Sequence, residues 1–259
     1  MQPKIIVICN RKGGTGKTNV AINLAAYLCY FGKKVLLIDL DPQANATSGL
    51  GVEKNQPGIY EILSQQIPFE NGMIQARQNL WVTPANENLA GADIEMVGLP
   101  NREFILSKII GNLLISPQNK NFDYIFIDTP PSLNLITVNS LVAAHQILIP
   151  VQAEYYALEG LNQLLQTIGL IKENLQPNLD VLGAVLTMYD TRGRLAEEVW
   201  EEMYKNFPYR IFRTIIPRNV RLAEAPSYGK TILEYAPTSK GAKAYWRLAR
   251  EFLVNNDSF

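Results

Sequence analysis

Lys12-Gly13-Gly14-Thr15-Gly16-Lys17-Thr18 decides how this chain is read. An apolar run, Ile5-Ile6-Val7-Ile8-Cys9, precedes it, and a helix-forming segment from Val20 to Phe31 follows. Strand, glycine-rich loop and helix in that order are what a phosphate-binding P-loop requires. Glycines let successive backbone N–H groups turn inward around a phosphate, and the helix adds its positive N-terminal end. In that arrangement Lys17 reaches the β- and γ-phosphates and the Thr18 hydroxyl ligates Mg²⁺. Lys12 is a second lysine for which an ordinary P-loop has no need. It lies too far back along the loop to hold the same phosphates easily, and a neighbouring subunit is where it would find others.

Moving outward, two acids end apolar runs. Val35-Leu36-Leu37-Ile38-Asp39 leads into Leu40-Asp41-Pro42-Gln43, and Tyr124-Ile125-Phe126-Ile127-Asp128 into Thr129-Pro130-Pro131-Ser132. A carboxylate at the C-terminal end of a buried parallel strand stands where such sheets bind ligands. Taken singly, either acid could be a strand terminus or a helix cap. Beside a P-loop, Asp128 reads as the Walker B acid near Mg²⁺.

The remaining pattern alternates. Strands are predicted at 4–9, 34–39, 80–84, 123–128, 146–151 and 180–187, with a shorter one near 211–216. Helices are predicted at 17–31, 100–115, 134–144, 157–175, 194–206 and 241–254, with a short one near 58–65. Most strands are short, continuously apolar runs, as when helices cover both faces of a mostly parallel sheet. The expected fold class is therefore α/β, a twisted parallel sheet of P-loop NTPase type. Residues 52–99, with scattered Asn, Gly and Pro, are the least legible stretch. No Ser/Gly linker, repeat or low-complexity tract divides the 259 residues, so a single domain over 1–259 is expected. The chain begins almost directly with a strand and has no 18-residue apolar run, so neither signal peptide, membrane span nor DNA-reading N-terminal arm is expected. Cys9 and Cys29 read as buried thiols of a reducing cytoplasm.

Net charge is zero, but the total conceals a local excess. Residues 205–250 hold ten Lys/Arg, namely Lys205, Arg210, Arg213, Arg218, Arg221, Lys230, Lys240, Lys243, Arg247 and Arg250, against only Glu224 and Glu234, a balance of +8. Within the basic C-terminal region, 205–254, the spacing of Lys240, Lys243, Arg247 and Arg250 puts them on one face of the last helix. Ala242, Tyr245, Trp246, Ala249, Phe252 and Leu253 form the adjoining apolar stripe. One such helix alone reads as a solvated face beside core, whereas the whole run reads as a polyanion surface. Arg218 and Arg221 are expected in a loop-like segment that meets the same backbone.

These blocks together resemble the ParA/Soj partition ATPases, a deviant Walker A branch of the MinD/ParA superfamily. The resemblance rests on the two-lysine P-loop, on Asp39-Leu40-Asp41-Pro42-Gln43-Ala44-Asn45-Ala46-Thr47-Ser48-Gly49-Leu50-Gly51 and on Asp128-Thr129-Pro130-Pro131-Ser132. It rests equally on Pro150-Val151-Gln152-Ala153-Glu154-Tyr155-Tyr156-Ala157-Leu158-Glu159-Gly160 and on the segment Ile216-Pro217-Arg218-Asn219-Val220-Arg221-Leu222-Ala223-Glu224-Ala225-Pro226-Ser227. It implies ATP and Mg²⁺ as ligands, held by Lys12, Gly13, Gly14, Thr15, Gly16, Lys17, Thr18 and Asn19. Thr18 ligates the metal directly, with Asp39 and Asp128 acting through its water shell. Asp41 orients the attacking water, and Met188, Pro217 and Asn219 lie near adenine. Two subunits close over two nucleotides, Lys12 of each reaching across. The ATP homodimer binds double-stranded DNA nonspecifically through Arg218, Arg221, Lys230, Lys240, Lys243, Arg247 and Arg250. A ParB-like or other cargo adaptor stimulates slow hydrolysis, and a plasmid, chromosome origin or protein organelle is positioned on the nucleoid within the cytoplasm.

Departures from the family pattern are Arg11, Thr15, Asn19 and His145, none of which removes a phosphate or metal ligand. Three other readings use the same loop. A MinD-like membrane-cycling ATPase needs a free amphipathic C-terminal helix, but the chain ends Val254-Asn255-Asn256-Asp257-Ser258-Phe259. An iron–sulfur reductase needs cysteines that bridge subunits, which Cys9 and Cys29 do not offer. A small-molecule P-loop kinase leaves Asp39, Asp41 and the basic run without a use. The cargo and the adaptor's identity are not written in the sequence.

Overall fold

The computed structural model describes residues 2–117, 120–154, 157–190 and 194–256. Tyr155 and Tyr156 of the family-like blocks, and Asp257, Ser258 and Phe259 of the tail, lie outside the described residues.

Apolar runs become the strands β1 (Lys4–Ile8), β2 (Val35–Asp39), β3 (Ile74–Arg77), β4 (Leu80–Thr83), β5 (Tyr124–Asp128), β6 (Gln146–Gln152) and β7 (Asp180–Thr187). They form one sheet in the order β3-β4-β2-β5-β1-β6-β7. Every pairing is parallel except β3 with β4. β2 and β5 are buried at every position, which is why their sequences carry no polar alternation. Ile5, Val7, Leu36, Ile38, Ile125 and Ile127 face one core layer, whereas Ile6, Ile8, Val35, Leu37, Tyr124 and Phe126 face the other. That period of two follows from strand pleating.

The helices are α1 (Lys17–Tyr30), α2 (Asn45–Gly49), α3 (Ile59–Leu63), α4 (Leu89–Val97), α5 (Ile105–Ile115), α6 (Leu135–Ala143), α7 (Ala157–Asn174), α8 (Arg194–Asn206), α9 (Val220–Glu224), α10 (Ile232–Tyr235) and α11 (Lys240–Asn256). Residues of α3 to α8 build the first layer, while α1, α10 and α11 build the second. The expected α/β architecture is therefore what the chain adopts. No helix among the described residues is long and apolar enough to cross a membrane.

Several local expectations change. Segment 211–216 is not a strand. Ile211 and Pro217 make isolated bridges to Ala184 and Tyr189. Between them the N–H groups of Arg213 and Thr214 donate to the Glu251 carboxylate on α11, at 2.7 and 2.9 Å, instead of to a ladder. The helix expected from 100 starts at Ile105, because Asn101 adopts a left-handed φ of 52° and a 3₁₀ turn, Arg102–Phe104, intervenes. Arg221 lies on α9 rather than in a loop. On α11 the buried stripe includes Ala244 and Leu248, whereas Trp246 is 38% exposed.

Candidate functional site

The switch point of the sheet is β1, flanked by β5 and β6, and the chain leaves its C-terminal end as the glycine-rich loop. Gly14 and Gly16 carry φ of 74° and 83°, a left-handed conformation that a side chain would strain. Polar contacts fix the loop from below. The Asn10 amide donates to Pro150 O at 2.7 Å, while its carbonyl accepts from Lys12 N at 3.0 Å. Thr187 Oγ1, at the end of β7, donates to Thr15 O at 2.7 Å. Sequence reasoning misses Asn10 and Thr187 because their roles depend on long-range neighbours. A polar residue beside the glycine run is the only local signal.

Lys17 opens α1 and is buried, its ammonium donating to Lys12 O at 3.2 Å. Burial lowers its pKa, opposed by the charges of Asp128, Cys9 and Asp41. Lys12, by contrast, is half exposed and ion-paired with Glu154 of its own chain. The loop's two lysines therefore occupy different environments, one inside the strand-end crevice and one at its rim.

Three acids converge beside Lys17. Asp39 and Asp128 are register partners on adjacent strands, and Asp128 also pairs with Ile8 at the end of β1. Asp39 is wholly buried, with its oxygens already committed. Oδ2 accepts from Thr47 N and Oγ1 at 2.8 and 2.7 Å, and Oδ1 from Asp41 N at 3.2 Å. Burial nevertheless pushes its pKa up to about 6, the Thr47 bonds opposing and the Asp41 charge adding. Asp128 differs: it is fully buried, and neither oxygen has a hydrogen-bond partner at ordinary distance and angle among the described residues. Its pKa lies well above the carboxylate range, first through burial and then through the charge of Asp39. The nearby Thr18 hydroxyl and Lys17 only partly offset this. Buried carboxylates without donors are found paired or facing cations. An orphaned carboxylate beside a threonine hydroxyl at a P-loop thus fits a hydrated Mg²⁺, which keeps several of its waters. Asp41 is buried and, among the described residues, its Oδ1 accepts from Gln43 N at 2.9 Å.

The remaining candidates divide into three groups. Met188, at φ 50°, lies against Gly16, 3.7 Å from where a Cβ would stand there, and Pro217 bridges the next residue, Tyr189. Asn219 caps α9, its Oδ1 accepting from Arg221 N at 3.0 Å. Asn19 spends its side chain between helices, donating to Leu222 O at 2.9 Å and accepting from the Asn23 amide and the Tyr245 hydroxyl. It thereby ties the P-loop helix to α9 and α11. Arg218, Arg221, Lys230, Lys240, Lys243, Arg247 and Arg250 are all exposed. Leu222 of α9 packs where a Cβ on Gly241 would stand, so α9 abuts the start of α11. Arg221 is partly neutralised by Glu224 at 2.8 Å, and the Arg250 guanidinium lies 4.7 Å over the Trp246 ring. His145 accepts from Ile5 N through Nδ1 at 3.0 Å, which makes it a strand-end cap. Cys9, whose thiol burial pushes up to about 11, and Cys29 are free thiols within the fold.

A family model described as an AAA domain matches residues 3–181. Over 256 residues the chain is 49% identical to the sporulation initiation inhibitor protein Soj of Bacillus subtilis, covering 97% of this chain and 99% of that protein. It is 48% identical over 249 residues to the chromosome-partitioning ATPase Soj of Thermus thermophilus, covering 96% and 95%. Among solved structures, cobyrinic acid a,c-diamide synthase from Mycobacterium smegmatis with bound ATP analog and magnesium superposes with a TM-score of 0.85. That match has 30% identity and covers 99% of this chain and 97% of the other.

Proposed function

The chain belongs to the Soj/ParA family of chromosome-partitioning ATPases, within the AAA-domain family, and from that premise we infer that ATP drives its dimerisation and thereby switches on nonspecific binding to duplex DNA. The observation that carries this reading is the pair of lysines in unlike settings, Lys17 buried inside the loop and Lys12 at its rim.

The residues divide the work as follows. Backbone N–H groups of the loop and the ammonium of Lys17 hold the triphosphate of ATP. Thr18 would hold magnesium directly, with Asp128 and Asp39 acting through its water shell. Magnesium, when bound, neutralises phosphate charge. Asp41 accepts a hydrogen bond from the attacking water and aims it at the γ-phosphorus. Phosphoryl transfer is mostly positioning and charge neutralisation, so this small set suffices. Met188, Pro217 and Asn219 border the adenine. Lys12 leaves Glu154 and reaches the partner's phosphates, which makes closure depend on ATP. Dimerisation sets two basic surfaces side by side, and DNA affinity rises steeply with the number of phosphates neutralised. Asn19, bonded to Leu222 O and Tyr245, supports coupling between the P-loop helix and those surfaces. A ParB-type partner accelerates hydrolysis and returns subunits to the monomer, which would associate the protein with the nucleoid only in its ATP state.

Light scattering with and without ATP tests the reading. The wild type is expected to double its mass with ATP. Lys12→Ala is expected to bind ATP and remain a monomer. A Lys12→Ala variant that still dimerises refutes the role of Lys12 across the interface.

A further inference from the structure

A cavity of about 400 Å³ opens between α1, α10 and α11, on the outer face of the second layer. Tyr27 and Tyr30 form one wall and Trp246 another, with Lys243 and Arg247 alongside. No acid lines it. The tyrosines stand 10 and 13 residues beyond Lys17 on a 14-residue helix, about 15–20 Å from the P-loop, so the cavity is separate from the nucleotide site.

The surface chemistry here exceeds what phosphate contacts require. Tyr30 is 65% and Trp246 38% exposed, so two large rings remain in water beside cations. Phe31 lies edge-on to Tyr30 with centroids 5.6 Å apart and tilted to Trp246 at 6.4 Å, so the three rings adjoin one another. Trp246 already carries a flat partner, the Arg250 guanidinium. Duplex bases are stacked internally and gain nothing from such plates. Aromatic plates beside a basic track are instead the arrangement that receives unpaired bases, the rings stacking and the cations following the backbone.

We propose that this cavity holds an unpaired nucleobase of bound DNA, stacked on Tyr30 and Trp246, with its phosphate on Lys243 and Arg247. The inference rests on the DNA-binding reading above and adds a second mode to it. The protein would grip single-stranded or frayed segments as well as duplex backbone.

The test uses the full chain with a non-hydrolysable ATP analogue. The probes are a random-sequence oligonucleotide as single strand, the same sequence as duplex, and an acidic aromatic peptide. The single strand is expected to bind and to quench tryptophan fluorescence, with the quench lost in Trp246→Leu. Tyr30→Ala and Trp246→Leu are each expected to weaken single-strand binding about tenfold, and Tyr30→Ala to change duplex binding by less than about twofold. Tyr30 is mostly exposed, so Tyr30→Ala remains informative if Trp246→Leu fails to fold. Equal losses for both DNA forms, or no loss for either, overturn the proposal. Wild-type binding to duplex without binding to single strand overturns the proposal and leaves the duplex reading standing. Binding to neither form in any nucleotide state removes both. A Trp246-dependent quench by the peptide but not by the single strand reassigns the cavity to a protein partner and overturns the proposal.

Discussion

Replacing Asp39 by Asn should flatten the pH dependence of folding stability in the nucleotide-free protein. Asp39 is fully buried, and its pKa is pushed up to about 6 from 3.8. A group whose folded pKa is raised contributes stability that is fully present below the unfolded value and lost as pH rises through the folded one. The whole shift corresponds to roughly 3 kcal/mol, of which about 2 kcal/mol falls between pH 4.5 and 7.5. Asp128 is raised in the same direction, partly by the Asp39 charge, so removing that charge brings its titration back towards the ordinary range and enlarges the difference. At low pH, where the folded wild type holds Asp39 protonated, the amide replaces a neutral carboxyl in the bonds from Thr47, which offsets the variant's stability by a fixed amount. The informative quantity is therefore the change in the gap between wild type and variant. With an entropy of unfolding typical for this size, the gap in melting temperature should shift in the variant's favour by roughly 4–8 °C between pH 4.5 and 7.5. Urea denaturation at both pH values gives the same comparison in free energy. Saturating Mg²⁺ and nucleotide should shrink the effect, since the carboxylates then face a cation. Parallel stability profiles for the two proteins would refute the claim that these acids are held at a cost in the free site.

Two further outcomes follow from particular interactions. Asp41→Ala should bind ATP as well as the wild type but turn over at least about a hundredfold more slowly, and should accumulate as the ATP dimer; wild-type turnover would move the role to Asp39. Thr187→Val should remove the bond that pins Thr15 O, worth about 1 kcal/mol, and weaken ATP binding roughly fivefold by calorimetry, with little effect on duplex affinity per dimer; unchanged ATP affinity would mean the loop is held without it.

What can be read from the sequence is local and strongly patterned. β1, the glycine run and the strands ending in Asp39 and Asp128 are continuous in sequence, and each carries its own signal. The pieces that escape depend on distant partners. β3, Ile74–Arg77, is short and half polar, and becomes a strand only by pairing antiparallel to β4 across an irregular register. α2 starts after Ala44 at a left-handed φ of 53°, and its run Asn-Ala-Thr-Ser-Gly has little helical preference. Thr47 within it is held by the Asp39 carboxylate eight residues earlier, a bond that no helix or strand periodicity announces. Segment 211–216 carries an apolar strand signal, and the N–H groups of Phe212 and Ile216 donate to Ala184 O and Leu186 O of β7, yet Glu251 captures those of Arg213 and Thr214 between them. At the site, residue types identify Lys17, Thr18 and the three acids. Side-chain partners do not show in the sequence. The commitment of Asp39 to Thr47, the orphaned oxygens of Asp128 and the pairing of Lys12 with Glu154 emerge only when separate strand ends meet. Asn19 reads as part of the phosphate loop, but its position on α1 turns its amide toward Leu222 O.

The most direct measurement is a salt titration of binding to random-sequence duplex DNA with ATP, with ADP and without nucleotide. Binding is expected only with ATP, its affinity falling steeply and log-linearly with salt and indifferent to sequence. Arg221→Glu, Arg247→Glu and Arg250→Glu combined should weaken it while leaving the ATP dimer intact. For every phosphate no longer neutralised, the slope of log affinity against log salt should flatten by about one. Equal affinity in all three nucleotide states, or no binding in any of them, would contradict an ATP switch acting through the basic face of α9 and α11.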